Sequence, residues 1–373
     1  MNMQEKKLII PDVRDGLNSV ERSLLCAMYK LKLVARSRYI ETKKVIANAE
    51  ITNTENMSAV LETLIRMTKD FSMRHPLAYD DDMQAFEIDD GSVQSQKSIK
   101  WVRPSLMAKF MFDGIKFDED PSALPCCFPN LLVNGACNEN GYIVLPHNMH
   151  EITAAVHAIC ENPEITDEEL FEIVPGPDFP IDSTIDKTDA LLEIQKGKTG
   201  KIILSTRDEN REIFVNGSVL VPDRNLDNLV EKRLSLKEML VEWINFRDEC
   251  IRRKAEEGLK NERNKLHLLD GVVVAMDNIE VYFSMVRSCA STDEIIKKSI
   301  EFGLDKKQAE YMAHYSVDKV CRYDKRAIYG KSKEKINNLE NLVANKEARK
   351  QQMLKTLDMI DCRFGDERYT RMG

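Results

Sequence analysis

Three stretches of this 373-residue chain hold side chains whose types and spacing could do chemistry. The first, residues 121 to 150, gathers Cys126, Cys127 and Cys137 with His147 and His150. Thiolates and imidazoles are zinc ligands, but structural zinc sites use cysteines separated by about two to four residues, and adjacent Cys126 and Cys127 do not offer that spacing. Packing of buried thiols is the better reading, and no metal site is expected. The second stretch, "KGKTGK" at 196 to 201, has the texture of a phosphate-holding turn. A Walker loop needs a glycine five residues before Gly197, and that position is Leu192. It reads as a basic turn entering a strand. The third, "SIKWVRP" at 98 to 104, sets Lys100, Trp101 and Arg103 close together. An indole N–H has no acidic oxygen and cannot form a phosphoester. Lys100 carries charge without the guanidinium fork.

The elements that must position these residues are mostly helical. In residues 11 to 72, "SVERSLLCAMYKLKL" puts Val20, Leu24, Met28 and Leu31 on one helical face, and "NMSAVLETLIRMTKDF" does the same with Val60, Leu64, Met67 and Phe71. The basic "RSRYIETKK" connects them, which suits a helix-turn-helix-like unit. "YDDDMQAFEIDD" at 79 to 90 carries six acidic residues and reads as a solvated loop. Prolines and glycines break residues 121 to 150 into loops and short strands. Thr166 with Glu169 forms a capping box, and residues 201 to 222 read as strands around a polar turn. From Ser235 to about Cys289 no proline occurs, and apolar residues recur from Leu236 to Met276 at helical spacing. That is one long helix or two nearly collinear ones, polar through "RRKAEEGLKNERNK" and in need of a partner along a narrow seam. A compact helical cluster follows, opened by Ser291 with Glu294. A last amphipathic helix, about 331 to 360, could return along the long one.

The net charge of −8 lacks the basic surplus typical of a dedicated DNA-binding domain. Nine cysteines, odd in number and without a C-x-x-C pair, read as free thiols. No apolar run reaches bilayer length and the N-terminus shows no signal-peptide cleavage pattern, so a cytoplasmic location and no membrane association are expected.

Taken in order, "PDVRDGL" at 11 to 17, "RMTKDFSMRHPL" at 66 to 77, "FPNLLVNG" at 128 to 135, "PHN" at 146 to 148, "PGPDFP" at 175 to 180 and the terminal "FGDERYT" resemble the DNA-cleavage subunit of bacterial type IIA topoisomerases, the gyrase A and topoisomerase IV A family. "LSLKEMLVEWINFRDECIRRK", "LLDGVVVAMDNIEVYFSMVRS" and "FGLDKKQAEYM" extend the resemblance toward the C-terminus. The resemblance implies a mostly α fold with smaller α+β parts. Residues 1–120 would be a winged-helix DNA-gate domain and 121–232 a reduced tower or shoulder region. Residues 233–373 would form a long antiparallel coiled-coil stalk with a helical dimer gate. It implies a homodimer through the stalk. It also implies a separate ATPase subunit that supplies ATP hydrolysis and the magnesium-binding carboxylates, so no cofactor is expected in this chain. Arg14, Arg22, Lys100, Arg103, Lys196 and Lys198 are the implied DNA contacts.

The departures fall on the chemistry. The family's nucleophilic tyrosine and the arginine before it land on Trp101 and Lys100. Its His-Pro-His-Gly-Asp segment lands on "NTENM", Asn53 to Met57, and its His-Arg-Arg on Glu21, Arg22 and Ser23. The glycine-rich loop before the nucleophile becomes the acidic stretch at 79 to 90, and each added carboxylate repels phosphate. Most of the tower, and a separate DNA-wrapping C-terminal domain, have no counterpart in these residues. The sequence therefore points first to a non-cleaving scaffold that binds DNA weakly or partners an ATPase-subunit homologue. The second reading is an active topoisomerase subunit with a relocated or trans-supplied tyrosine. The candidates are Tyr79, set in the acidic run where phosphate approach is disfavoured, and Tyr29 and Tyr39 in the first helical unit, with ordinary packing the better reading of Tyr39. The third is an antagonist that co-assembles with a true cleavage subunit.

Overall fold

In the computed structural model, which describes residues 9–49, 51, 57–69, 73–81, 99–115, 121–138, 141–178, 183–185, 193–196, 202–205, 217–223, 228–316 and 324–372, Asn18 opens helix α1 (Ser19–Lys30) with a capping box. Its side chain accepts from the Glu21 amide at 3.0 Å, and the Glu21 carboxyl accepts from the Asn18 amide at 2.9 Å. Strand β1 (Ile40–Glu41) and the short helix α2 (Thr42–Ala47) lie in what the sequence suggested was a plain basic connector. Helix α3 (Met57–Thr68) buries Val60, Leu64 and Met67 as its spacing predicts. Strand β2 (Ala78–Asp80) claims the start of the acidic stretch, which therefore does not begin as a solvated loop: Asp80 turns inward to Lys69 at 2.8 Å. The remainder of that stretch, 82 to 90, lies outside the described residues.

Strand β3 (Trp101–Pro104) pairs antiparallel with both β1 and β2, giving a sheet in the order β1–β3–β2. Helix α4 (Asn130–Asn134) interrupts the predicted loops and is followed by the hairpin β4 (Ala136–Asn138) and β5 (Gly141–Val144). Helix α5 (Met149–Glu161) is capped by Asn148, and α6 (Asp167–Ile173) by the expected Thr166–Glu169 box. Strands β6 (Ser183–Ile185), β7 (Glu193–Lys196), β8 (Ile202–Ser205), β9 (Gly217–Pro222) and β10 (Leu229–Leu234) follow. Residues 206–216, the predicted polar turn, lie outside the described residues.

Helix α7 (Leu236–Asp277) is the long helix. It ends where the Asn278 side chain donates to the Val274 carbonyl at 3.1 Å, and α8 (Ile279–Arg287) starts anew. Helices α9 (Thr292–Glu301) and α10 (Lys306–Ala313) form the compact cluster. Ser291 accepts from the Glu294 amide at 3.2 Å, but the Glu294 carboxylate answers Ala290 rather than Ser291, so only half of the predicted box exists. The single last helix expected over 331 to 360 is two, α11 (Lys325–Ala344) and α12 (Lys346–Phe364). Asn345 divides them by accepting from the amides of Glu347 and Ala348 at 2.9 and 3.3 Å, an N-cap inside an amphipathic pattern. Strand β11 (Thr370–Met372) pairs parallel with β6.

The described residues are thus mostly helical with small sheets. The chain forms two units, residues 1–250 with 350–373, and residues 251–349. The first holds the larger core, which includes Leu24, Leu64, Val102, Phe128 and Trp243. In the second, α7 and α11 run antiparallel: Gly258 approaches Leu339, Glu262 bonds Lys335 at 2.7 Å, Arg263 bonds Glu340 at 2.6 Å, and Tyr329 donates to Asp270. The seam is mixed: Ile251 and Ala255 are buried and Gly258 meets Leu339, while Glu262 sits buried among Lys335, Lys265 and Ser332. Its apolar cluster is built from Val272, Ala275, Met276, Tyr282, Leu304 and Met312.

Candidate nucleic-acid interface

The β1–β3–β2 sheet carries Trp101. Strand residues alternate between faces. Val102 and Pro104 therefore point inward, against the side where α1 and α3 pack, and both are buried. Trp101 and Arg103 point outward, the indole 39% exposed. The register sets Trp101 opposite Glu41 and Arg103 opposite Tyr79, which is itself 38% exposed. The Arg103 guanidinium lies 4.7 Å from the Tyr39 ring centroid and 5.5 Å from that of Tyr79, and donates to the Ala35 carbonyl. Lys100 is exposed, its carbonyl accepting from the Thr42 amide at 3.0 Å. Trp101 and Arg103 thus share the outward face of the central strand, joined by two tyrosines, and exposed Lys100 precedes that strand. The contact of Tyr39 with Arg103 was not foreseen from the sequence. Its signal lies in the alternation of Trp101 and Arg103 with Val102, which marks a strand with an outward aromatic and cationic face.

The other expected cations are held differently. The Arg14 guanidinium grips Asp12 at 2.7 Å, and Arg22 grips buried Asp15 at 2.7 Å while also donating to the Leu17 carbonyl. Asp15 also accepts from the amides of Leu17 and Leu124, and its carbonyl accepts from Asn130. The "PDVRDGL" stretch is therefore an internal knot. Gly16 completes it with φ +70°, and a Cβ there would stand 2.4 Å from the Leu131 nitrogen. Glu21, next to this knot, has its carboxyl pushed up to about 7 by burial, which outweighs the Asn18 amide and the charges of Arg66 and Arg22. Lys196 ends β7, and Lys198 lies outside the described residues.

A second network explains three more motifs. Arg74 forms a fully buried pair with Asp178 at 2.6 Å and bonds Asp366 at 2.7 Å. Asp178 also accepts from the amides of Tyr369 and Thr370, while Arg368 holds Glu151 at 2.7 Å and the carbonyls of Gly176 and Pro177. "RHPL", "PGPDFP" and "FGDERYT" thus meet at one place. Half-buried His75 and buried His147 lie nearby, and loss of solvation lowers the pKa of each ring to about 4. Cys126 and Cys127 are buried, Cys126 pointing to the Phe128 carbonyl, and the His150 ring faces Asp361 at 2.9 Å, so these groups serve packing and ion pairing. Among the described residues no three His, Cys, Asp or Glu side chains gather as a metal site, and no helix is long and apolar enough to cross a membrane.

Residues 104–221 and 218–358 match the family model for the A subunit of DNA gyrase/topoisomerase IV. The chain belongs to that family. Among its relatives, the DNA gyrase A subunit of Fibrobacter succinogenes is 25% identical across 98% of this chain and 50% of its own length. That of Staphylococcus epidermidis is 25% identical across 97% of the chain and 51% of its own length. A probable chloroplastic/mitochondrial DNA gyrase A subunit of Oryza sativa subsp. japonica is 26% identical across 90% and 46%. The chain spans about half the length of these gyrase A relatives. The matched stretches, 433 to 458 positions, exceed the whole 373-residue chain, so the relatives carry insertions within the shared region that this chain lacks.

Proposed function

We propose that this gyrase A-family chain is a topoisomerase-like DNA-gate and dimer scaffold that does not cut DNA. One observation carries the reading: Trp101, where the resemblance places the tyrosine nucleophile, presents an indole on the open face of β3. A solvent-facing indole can stack and donate one hydrogen bond, but it cannot hold a phosphoester. In this reading residues 1–120 form a winged-helix gate, 121–232 a reduced tower, and 233–373 an antiparallel coiled-coil stalk whose end dimerises. The pairing of α7 with α11 supports the stalk. The partner is a second copy and, through it, an ATPase subunit homologue that brings nucleotide and metal chemistry. Lys100, Arg103, Lys196, Lys198, Arg14 and Arg22 are the proposed phosphate contacts. Lys100 is open to solvent, whereas Arg14 and Arg22 would have to share guanidinium groups already bound to Asp12 and Asp15.

The test joins a salt series of duplex binding, followed by fluorescence anisotropy, to light scattering and an assay for covalent protein–DNA adducts. The expectation is a dimer that binds duplex with a falling affinity as salt rises and leaves no adduct. A monomer, or an adduct, would overturn the reading. A second reading has its own observation: Tyr39 and Tyr79 both rest on Arg103 beside Trp101. If either hydroxyl attacks phosphorus, an adduct forms with this chain and a metal-bearing partner, and it disappears in Tyr39→Phe or Tyr79→Phe.

A further inference from the structure

We propose that the outward face of the β1–β3–β2 sheet is a stacking platform for unpaired bases of single-stranded nucleic acid, with Trp101 and the Tyr39–Arg103–Tyr79 sandwich as its surfaces. This deepens the DNA-binding reading above and rests on it.

The fold does not need this face for its core. The inward residues of β3, Val102 and Pro104, already supply its core contacts. Trp101, 39% exposed, places part of a large aromatic surface in solvent, and Tyr79 does the same one strand over. Trp101 and Arg103 stand on one face about 6.6 Å apart along the strand, two residues of rise. Arg103 is fixed in its plane by the Ala35 carbonyl and by a ring on either side. A rigid guanidinium between two phenols and an open indole offer flat, polarisable surfaces side by side. Successive bases have π-faces that match such surfaces regardless of sequence.

Charge decides between a nucleic acid and an apolar protein partner. Exposed Arg36, Arg38, Lys43, Lys44 and Lys100 lie in the stretches that form or adjoin the sheet, and Arg103 stands on the face itself. The described carboxylates near it are Glu41, Asp80 and Asp81; Asp80 is taken by Lys69, and Glu41 lies 3.7 Å from Lys44. Among the described residues these stretches carry more cation than anion, which favours a phosphate-bearing strand over an apolar partner. Duplex DNA is a poor occupant because its base faces are already stacked on one another. Unpaired bases, at an end, a gap or a melted segment, have faces to offer.

The chain contains two tryptophans, and Trp243 is buried at 2% exposure, so a change in intrinsic emission on adding nucleic acid reports Trp101. Purified full chain would be titrated with oligo(dT) of about 15 nucleotides and with a blunt duplex of equal length, each followed by tryptophan emission and by anisotropy of a labelled strand. Oligo(dT) should quench the emission and saturate. Trp101→Ala should weaken oligo(dT) binding about five- to a hundred-fold, the range for one lost stacking partner. It should leave duplex affinity within two-fold. Trp101→Phe, which keeps a ring, should keep most of the affinity and lose the quench. The wild-type quenching arm needs no variant, so the test survives a variant that folds poorly. Oligo(dT) binding without quenching, or an equal loss for both nucleic acids in Trp101→Ala, overturns the platform while duplex binding stands. Failure to bind either at low salt overturns the DNA-binding reading, and the platform with it.

Discussion

Replacing Glu21 with glutamine tests whether the acid that the resemblance sets at the family's histidine position is a structural proton holder. Burial raises the Glu21 carboxyl to about 7 from an ordinary 4.5. The folded chain therefore holds this proton more tightly than the unfolded chain. Its stabilising effect is full below about pH 4.5 and is lost as pH rises through about 7. At about 1.4 kcal/mol per pKa unit, the loss between pH 5 and pH 8 is about 2–3 kcal/mol. Glutamine stays neutral throughout and still accepts from the Asn18 amide, so the capping box survives. Its amide N–H groups, if unpartnered, cost about 1–3 kcal/mol, but equally at every pH. His75 and His147, held neutral by burial, contribute with the opposite sign as pH falls below about 6.5, and they do so in both proteins. The measurement is denaturant unfolding at pH 5, 6, 7 and 8, followed by emission of Trp243, which lies in the same unit as Glu21. The stability of the variant relative to wild type should rise by about 2–3 kcal/mol from pH 5 to 8. A difference that stays flat from pH 5 to 8 would refute the buried proton and mean that Arg22 and Arg66 hold Glu21 as an anion.

Three further outcomes follow from the packing. Asp178→Ala strips one carboxylate from buried Arg74 and two acceptors from the Tyr369 and Thr370 amides, and should cost about 3–5 kcal/mol in denaturant unfolding; a cost under about 1 kcal/mol would show the network to be dispensable. Gly16→Ala meets the Leu131 backbone at 2.4 Å, whereas Gly303→Ala, also at positive φ (+113°), meets nothing within 4 Å. The first should cost about 3 kcal/mol or more and the second about 1–2, and the reverse order would contradict the close approach at Gly16. Asn345→Ala removes the cap of α12 and should lower stability by about 1 kcal/mol, measured by thermal unfolding; no change would mean the helix needs no cap there.

The sequence made the helices legible because their apolar residues recur at 3.6-residue spacing: α1 buries Val20, Leu24 and Met28, α3 buries Val60, Leu64 and Met67, and α7 buries Leu236, Leu240, Trp243, Ile251, Ala255, Val273 and Met276 but leaves Leu259, Leu266 and Leu269 half-buried. It hid the breaks. Asn278 and Asn345 interrupt long apolar patterns through their own side chains, a local competition that periodicity does not register. The sheet around Trp101 was hidden for a different reason. Its strands are two to four residues long and come from three separated stretches, so alternation barely accumulates in any one of them. The polar seam at Glu262 was equally invisible, since its partner Lys335 lies 73 residues away.

The motifs that carry the family likeness prove to be those that hold the first unit together. Asp12, Arg14, Asp15, Gly16 and Arg22 tie the N-terminal segment to Leu124, Asn130 and Leu131. Arg74, Asp178, Asp366 and Arg368 tie three distant segments into one buried network. Their survival speaks for the body of the protein and is silent about cleavage. Trp101 is the opposite case: exposed, outside both networks, and free to change without disturbing either. That independence makes Trp101→Tyr a clean probe. An exposed aromatic exchange should leave stability within about 0.5 kcal/mol. Restoring the hydroxyl alone should not restore an adduct, even when a metal-bearing partner is supplied. Phosphoryl attack also needs the charge that an arginine fork and imidazoles would supply, and the resemblance places Lys100, Glu21 and Asn53 to Met57 at those positions. An adduct formed by Trp101→Tyr would refute this: it would mean that one residue separates the scaffold from an enzyme, and that the other replacements are neutral to the chemistry.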